Sequence, residues 1–205
     1  SVNCYEGGKL LWRVKLKGIC RSQFIFDDSM TSLFALTSEG YCYCIDLEKG
    51  EVRQQELLPG PIYFDAIETD GKDQLFLVTQ LGHCGFLEVN SGKFSFRQTR
   101  QFYCVPVSQP VAIYKPGQLS GFVLPFAPMI CVLDQNATRV QWSYSDPVGM
   151  PFGGVSCFDF DGDKSDEIVL GLWSNPNFSP TYGQGLKVLT QRGQLLFHST
   201  SSPYP

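Results

Sequence analysis

Histidine is nearly missing from this chain: His83 and His198 are the only two in 205 residues. Neither has an acid or a nucleophile beside it at a recurring spacing, and no G-x-S-x-G, phosphate-loop or H-E-x-x-H motif occurs. An acid–base or nucleophilic site is thereby disfavoured, and each histidine reads as a solvated or packing residue. Basic residues are also few, 16 Lys and Arg against 20 Asp and Glu, giving a net charge of −4. They are scattered, which excludes recognition of nucleic acid by a basic face. No apolar run approaches the ~20 residues needed to span a bilayer. The first residues, SVNCYEGG, have neither a basic segment nor an apolar core, so the expectation is a soluble piece, any signal sequence having been removed or lying outside it. C-x-x-C pairs are lacking too, although there are eight cysteines. This argues against a zinc or dithiol site.

Most of those cysteines sit inside apolar runs such as Tyr41–Leu47 (YCYCIDL) and Met129–Asp134 (MICVLD), where a thiol behaves as a small buried hydrophobe. A chain of this length can bury a sizeable core without disulfides. The reading is therefore reduced thiols and an intracellular, cytoplasmic setting. Two glycosylation triplets, Asn136-Ala137-Thr138 and Asn177-Phe178-Ser179, are the features that speak for an extracellular one.

The organising feature is an internal repeat. The segments beginning at Gly7 (GGKLLWRV), Lys49 (KGEVRQQE), Ser91 (SGKFSFRQ), Asn136 (NATRVQWS) and Arg192 (RGQLLFHS) each join a polar turn to a strand-like run. Gly8, Gly50 and Gly92 are 42 residues apart; Ala137 follows 45 later, and Gly193 comes 56 after that. Each turn is preceded by a hairpin, as in SLFALTS–EG–YCYCIDL, and each hairpin by another apolar segment: SQFIFDD, PIYFDAI, QPVAIYK or GVSCFDF. Four strands in roughly 42 residues is the period of a β-propeller blade. The fold class expected is all-β: four four-stranded blades at 17–57, 61–99, 102–145 and 149–199, with a partial blade at 2–15. Thr200–Pro205 is too short to complete that partial blade, so the expectation is a piece of a longer propeller.

Two resemblances rest on these residues. Gly8 to Trp12, Gly92 to Phe96 and Gly193 to Phe197, a turn glycine with an aromatic four residues on, resemble the quinoprotein-type propeller repeat. That likeness implies an aromatic anchor between adjacent blades. It would imply an enzyme only with a quinone and metal ligand set, and none maps onto this chain. Secondly, Phe152-Gly153, then Asp159, Asp161, Asp163 and Glu167, then Ile168 to Gly171 and Gly185 to Leu189, resemble one FG-GAP repeat of the integrin α-subunit propeller. The resemblance implies a calcium loop formed by Asp159, Asp161, Asp163, the Ser165 carbonyl and Glu167. Lys164 and Gly171-Leu172-Trp173 depart from that pattern. Lys164 brings a positive charge and a side chain where the loop turns sharply. The same carboxylates would serve equally to cap backbone amides of the turn.

Protein partners are expected at two places. The insertion Trp173–Gly185 displays Trp173, Phe178 and Tyr182 among prolines and glycines, and aromatics on ordered loops are favoured anchors. The stretch Tyr103–Gly117 is interrupted by Pro106, Pro110 and Pro116 and leaves Tyr114 near a blade edge. The functional expectation is a non-enzymatic scaffold or complex subunit. The alternatives are an extracellular calcium-dependent adhesion propeller and a quinoprotein-like enzyme.

Overall fold

The computed structural model describes residues 1–20, 24–27, 29–63, 67–69, 74–90, 93–126, 129–145, 152–172 and 185–200. Every helix or strand among them is a β-strand. The chain divides into two compact units, Ser1–Phe102 and Tyr103–Pro205.

The first unit opens with a hairpin of β1 (Val2–Glu6) and β2 (Lys9–Val14). Two antiparallel sheets follow, each meandering in chain order. One holds β3 (Ile25–Phe26), β4 (Ser32–Leu36), β5 (Tyr41–Asp46) and β6 (Val52–Leu57). The other holds β7 (Ile67–Glu68), β8 (Gln74–Val78), β9 (His83–Asn90) and β10 (Lys93–Gln101). The second unit contains β11 (Val111–Lys115), β12 (Gln118–Pro125), β13 (Met129–Asp134) and β14 (Val140–Ser145), then β15 (Phe152–Phe158), β16 (Glu167–Leu172), β17 (Gly185–Leu189) and β18 (Leu195–Thr200).

Sequence and position agree strand by strand. SLFAL of β4 is buried on both faces and is apolar throughout apart from its first residue, whereas VRQQEL of β6, at a sheet edge, is polar and wet. β3 ends at Phe26, inside the run SQFIFDD. The Asp27 carboxylate accepts the amides of Thr31 and Ser32, at 2.8 and 2.9 Å, and turns the chain before the strand can extend.

A repeated irregularity in the outer strands governs how sheets stack. In β2, β6, β14 and β18 one extra residue (Leu11, Arg53, Gln141 and Leu196) interrupts the register with the preceding strand. A bulge of this kind reverses which face the following side chains occupy. Trp12, Gln54 and Trp142 are thereby turned toward the next sheet. The Trp12 indole N–H donates to the Leu47 carbonyl at 2.8 Å, and that of Trp142 to the Gln191 carbonyl at 2.5 Å. Each ring lies over the glycine of the next turn. A Cβ at Gly50 would stand 2.5 Å from Trp12 Cγ, and one at Gly193 would stand 3.1 Å from Trp142 Cε3.

Gln54 does the same work without a ring. Its amide accepts from Phe94 N at 2.9 Å and donates to Phe94 O at 2.8 Å. β10 has no bulge at this point, so Phe94 and Phe96 both face back onto the cluster of Phe34, Leu36, Leu75 and Leu87. Gln54→Ala is expected to cost about 2 kcal/mol, because it strands two backbone groups of a buried residue. Chemical denaturation checks this, with Gln54→Glu as a variant that still accepts but cannot donate.

Candidate functional site

The connection between β15 and β16 is built by its own carboxylates. Asp159 Oδ1 accepts from Gly162 N at 2.7 Å and Oδ2 from Lys164 N at 3.0 Å. Asp161 Oδ1 accepts from Asp163 N at 3.2 Å, Asp163 Oδ1 from Ser165 N at 2.7 Å, and Glu167 Oε2 from Phe160 N at 2.9 Å. Lys164 occupies the left-handed region with φ of 71°, where the sequence placed a sharp turn; Gly162, at 84°, shares it.

The turn draws carboxylate oxygens of Asp159, Asp161 and Glu167 within 4.8 Å of one another. Glu167 is buried, and its pKa is raised, first by burial and then by the negative charges of Asp161, Asp163 and Asp159. An all-oxygen set of three converging carboxylates fits a hard cation such as calcium. Amide capping does not use up a carboxylate, which offers about four acceptor sites. Asp163 stands outside the converging set, and Ser165 is described through its N–H to Asp163.

The same loop is tied to the preceding sheet. Asp166 Oδ2 accepts from Tyr114 N at 2.8 Å while Asp166 N donates to Tyr114 O at 3.0 Å. Gln191 Nε2 donates to that carbonyl too, at 2.8 Å. Tyr114 sits where β11 slips register against β12, which frees its backbone groups for this contact. The residue therefore lies at the seam between the two sheets of the second unit, with its side chain partly exposed. Trp173, Phe178 and Tyr182 lie outside the described residues.

Sequence reading counts Asp166 only as one more acid of the turn, and it overlooks Gln191 and the aromatic pair that opens the loop. The Phe158 and Phe160 rings are 6.1 Å apart and 47% and 50% exposed. The signal was available in FDFDGD: residues two apart in an extended chain share a side. Asp166→Ala is expected to lose about 1.5 kcal/mol, by unpairing Tyr114 N, and to leave the first unit unaffected. Amide hydrogen exchange at Tyr114 reads the first effect, and exchange at core amides of the first unit such as Leu36 and Leu77 reads the second.

Two further acids have structural work. The Asp46 carboxylate caps the amides of Glu48 and Lys49 and binds Arg53, and that of Asp134 caps Thr138 and Arg139. None of the eight cysteines is bridged by a disulfide, and burial pushes the thiol pKa of Cys84 up to about 11 and that of Cys157 higher still. Such thiols are poor nucleophiles.

Comparison with solved structures matches these sheets throughout the chain. BamB from Moraxella catarrhalis aligns with a TM-score of 0.61 at 17% identity, over 97% of this chain and 58% of that one. BBS1N, solved in complex with ARL6DN, aligns at 0.61 and 12%, over 96% and 59%. The β-propeller domain of Cps50 (Swd1) from Myceliophteria thermophila aligns at 0.58 and 13%, over 91% and 56%. The fold is a β-propeller. The four sheets are blades, β1–β2 is part of another, and the acidic turn is the first hairpin of the fourth blade. The chain spans less than two thirds of the length of each of these three structures. No protein-family model and no curated protein sequence matches it.

Proposed function

We propose that this propeller is a non-enzymatic module that holds a protein partner within a larger assembly, with Phe158 and Phe160 as an anchor. The observation that carries the reading is that these two exposed rings stand on held backbone, Phe160 through its N–H to the Glu167 carboxylate and Phe158 through its strand pairing with Glu167. Rigid aromatics cost little entropy on binding and dominate interface energetics. One fold analogue supports it: BBS1N was solved in complex with ARL6DN. Phe160→Ser is expected to weaken partner capture roughly 30-fold, about 2 kcal/mol, with thermal stability unchanged. Quantitative affinity purification from cells with both forms measures this; identical partner sets for both would overturn it.

The compartment we read is intracellular, supported by eight unbridged thiols. Titration of the denatured native protein finding fewer than eight would overturn that.

A calcium-ordered turn is a second element of the proposal, favoured by the convergence of Asp159, Asp161 and Glu167. A bound cation would neutralise mutually repelling carboxylates and stiffen the turn that carries both rings. Its role is to order the loop, and it takes part in no reaction.

A further inference from the structure

We infer that β10, the outer strand of the second blade, takes up an extended acidic segment of a partner protein as a fifth strand. The reasoning starts from where the backbone groups of β10 point. Phe94 donates its N–H to Gln54 Oε1 at 2.9 Å and accepts at its carbonyl from Gln54 Nε2 at 2.8 Å. Both groups therefore face away from β9, the one strand that β10 pairs with. Direction alternates along an antiparallel strand, so Phe96 and Gln98 also turn their N–H and C=O to the outer edge, while those of Ser95 and Arg97 face β9. A carboxamide offers the same donor and acceptor as a peptide group. Gln54 thus pairs with Phe94 as a neighbouring strand would, and the next two outward positions continue that edge.

β10 lacks what closes the other outer edges. β2, β6, β14 and β18 have six residues each, and their bulges leave at most four in unbroken register. β10 has nine, the longest of the described strands, and residues 93–98 run unbroken before its register shifts. Short length and bulges are the usual means of keeping an edge from pairing further. The outer edge of a blade points away from the propeller axis, so this one is open whatever blades precede or follow it. Charge decides what fits there. KFSFRQTRQ holds Lys93, Arg97 and Arg100 and no acid, in a chain of net charge −4. Glu88 on β9 meets Arg97 at 2.7 Å, and the positive excess along the strand remains. Lys93, Ser95 and Arg97 share one side of the sheet, and Phe94 and Phe96 the other, where they pack on the apolar cluster of the first unit. A strand alternating acidic and apolar residues matches both sides and gains main-chain hydrogen bonds from Phe96 and Gln98. The site lies in the first unit and uses no residue of the acidic turn, so it is independent of the partner read above at Phe160.

Fluorescence anisotropy of a labelled peptide alternating Val and Glu, about eight residues long, titrated with the purified chain tests it. Binding should saturate and weaken as salt is raised. The same peptide with its amides N-methylated should bind at least roughly tenfold more weakly, because the main-chain donors are gone. A peptide alternating Val and Lys should not bind. Gln98→Pro removes one outward N–H and leaves the bonds to β9 in place, and should weaken binding roughly fivefold. Lys93→Gln combined with Arg97→Gln should weaken it as well and flatten the salt dependence, which keeps the test open if the proline variant fails to fold by circular dichroism. With the Val–Glu peptide bound, hydrogen exchange should slow at the Phe96 and Gln98 amides and stay unchanged at Ser95 and Arg97. If the three cations only guard the edge against pairing, the acidic peptide will not bind, and the inference is overturned. Equal binding of the Val–Glu and Val–Lys peptides, indifference to N-methylation, or protection that omits Phe96 and Gln98 overturns it too.

Discussion

Trp142→Ala is expected to lower the stability of the second unit by about 3 kcal/mol, at the lower end of the range for buried tryptophan because this ring is only partly covered. Two losses add. The ring packs against the cluster of Ile113, Val123, Val132, Ile168 and Leu170 that joins the third and fourth blades. Its N–H also satisfies the Gln191 carbonyl, in the same turn whose Gln191 side chain reaches back to Tyr114. Trp142→Phe separates the two contributions, retaining most of the packing and losing the hydrogen bond, at about 1 kcal/mol. Denaturant unfolding followed by hydrogen exchange in each unit decides the matter. A loss under about 1 kcal/mol for the alanine variant would show that the apolar cluster holds the blades together without its anchor.

Calcium is expected to raise the thermal midpoint, by about 2.7 kcal/mol of added stability once the ion stands at a hundredfold its dissociation constant. The argument is mass action: the converging set of Asp159, Asp161 and Glu167 exists only in the folded turn. Chelator should reverse the shift, and Glu167→Gln should remove most of it. The pH dependence has a definite sign. Glu167 has a raised pKa when folded, so without calcium its charged form destabilises the fold, and that cost is relieved as pH falls through the folded pKa. Calcium offsets the same repulsion from the alkaline side, and protons should weaken its binding over that window. Differential scanning calorimetry with calcium and with chelator, at neutral and at mildly acidic pH, measures both. Equal midpoints at neutral pH would remove calcium from the account and leave the carboxylates as amide caps alone.

The all-β fold was readable because a blade is a local object. SLFALTS, EG and YCYCIDL pair with one another across short turns, so their alternation and turn residues contain the information that forms the sheet. The acidic turn was readable for the same reason, its acids being neighbours in sequence. Less visible was what those acids hold. Asp166 looked like one more acid in a polar loop, and only the meeting of two blades puts Tyr114 against it.

By itself, then, the sequence determined the strands, their order within each blade and the carboxylate pattern of the loop, all of which depend on contacts between near neighbours. Tertiary structure alone decided which face each anchor takes. A single extra residue in β2, β6, β14 or β18 moves Trp12, Gln54, Trp142 or Phe197 to the other side of its sheet, and its absence in β10 leaves Phe96 facing backward. The spacing from glycine to aromatic is identical for Trp12, Phe96 and Phe197. Register is settled by which face the neighbouring blade buries, and that is a property of packing that residue spacing does not record.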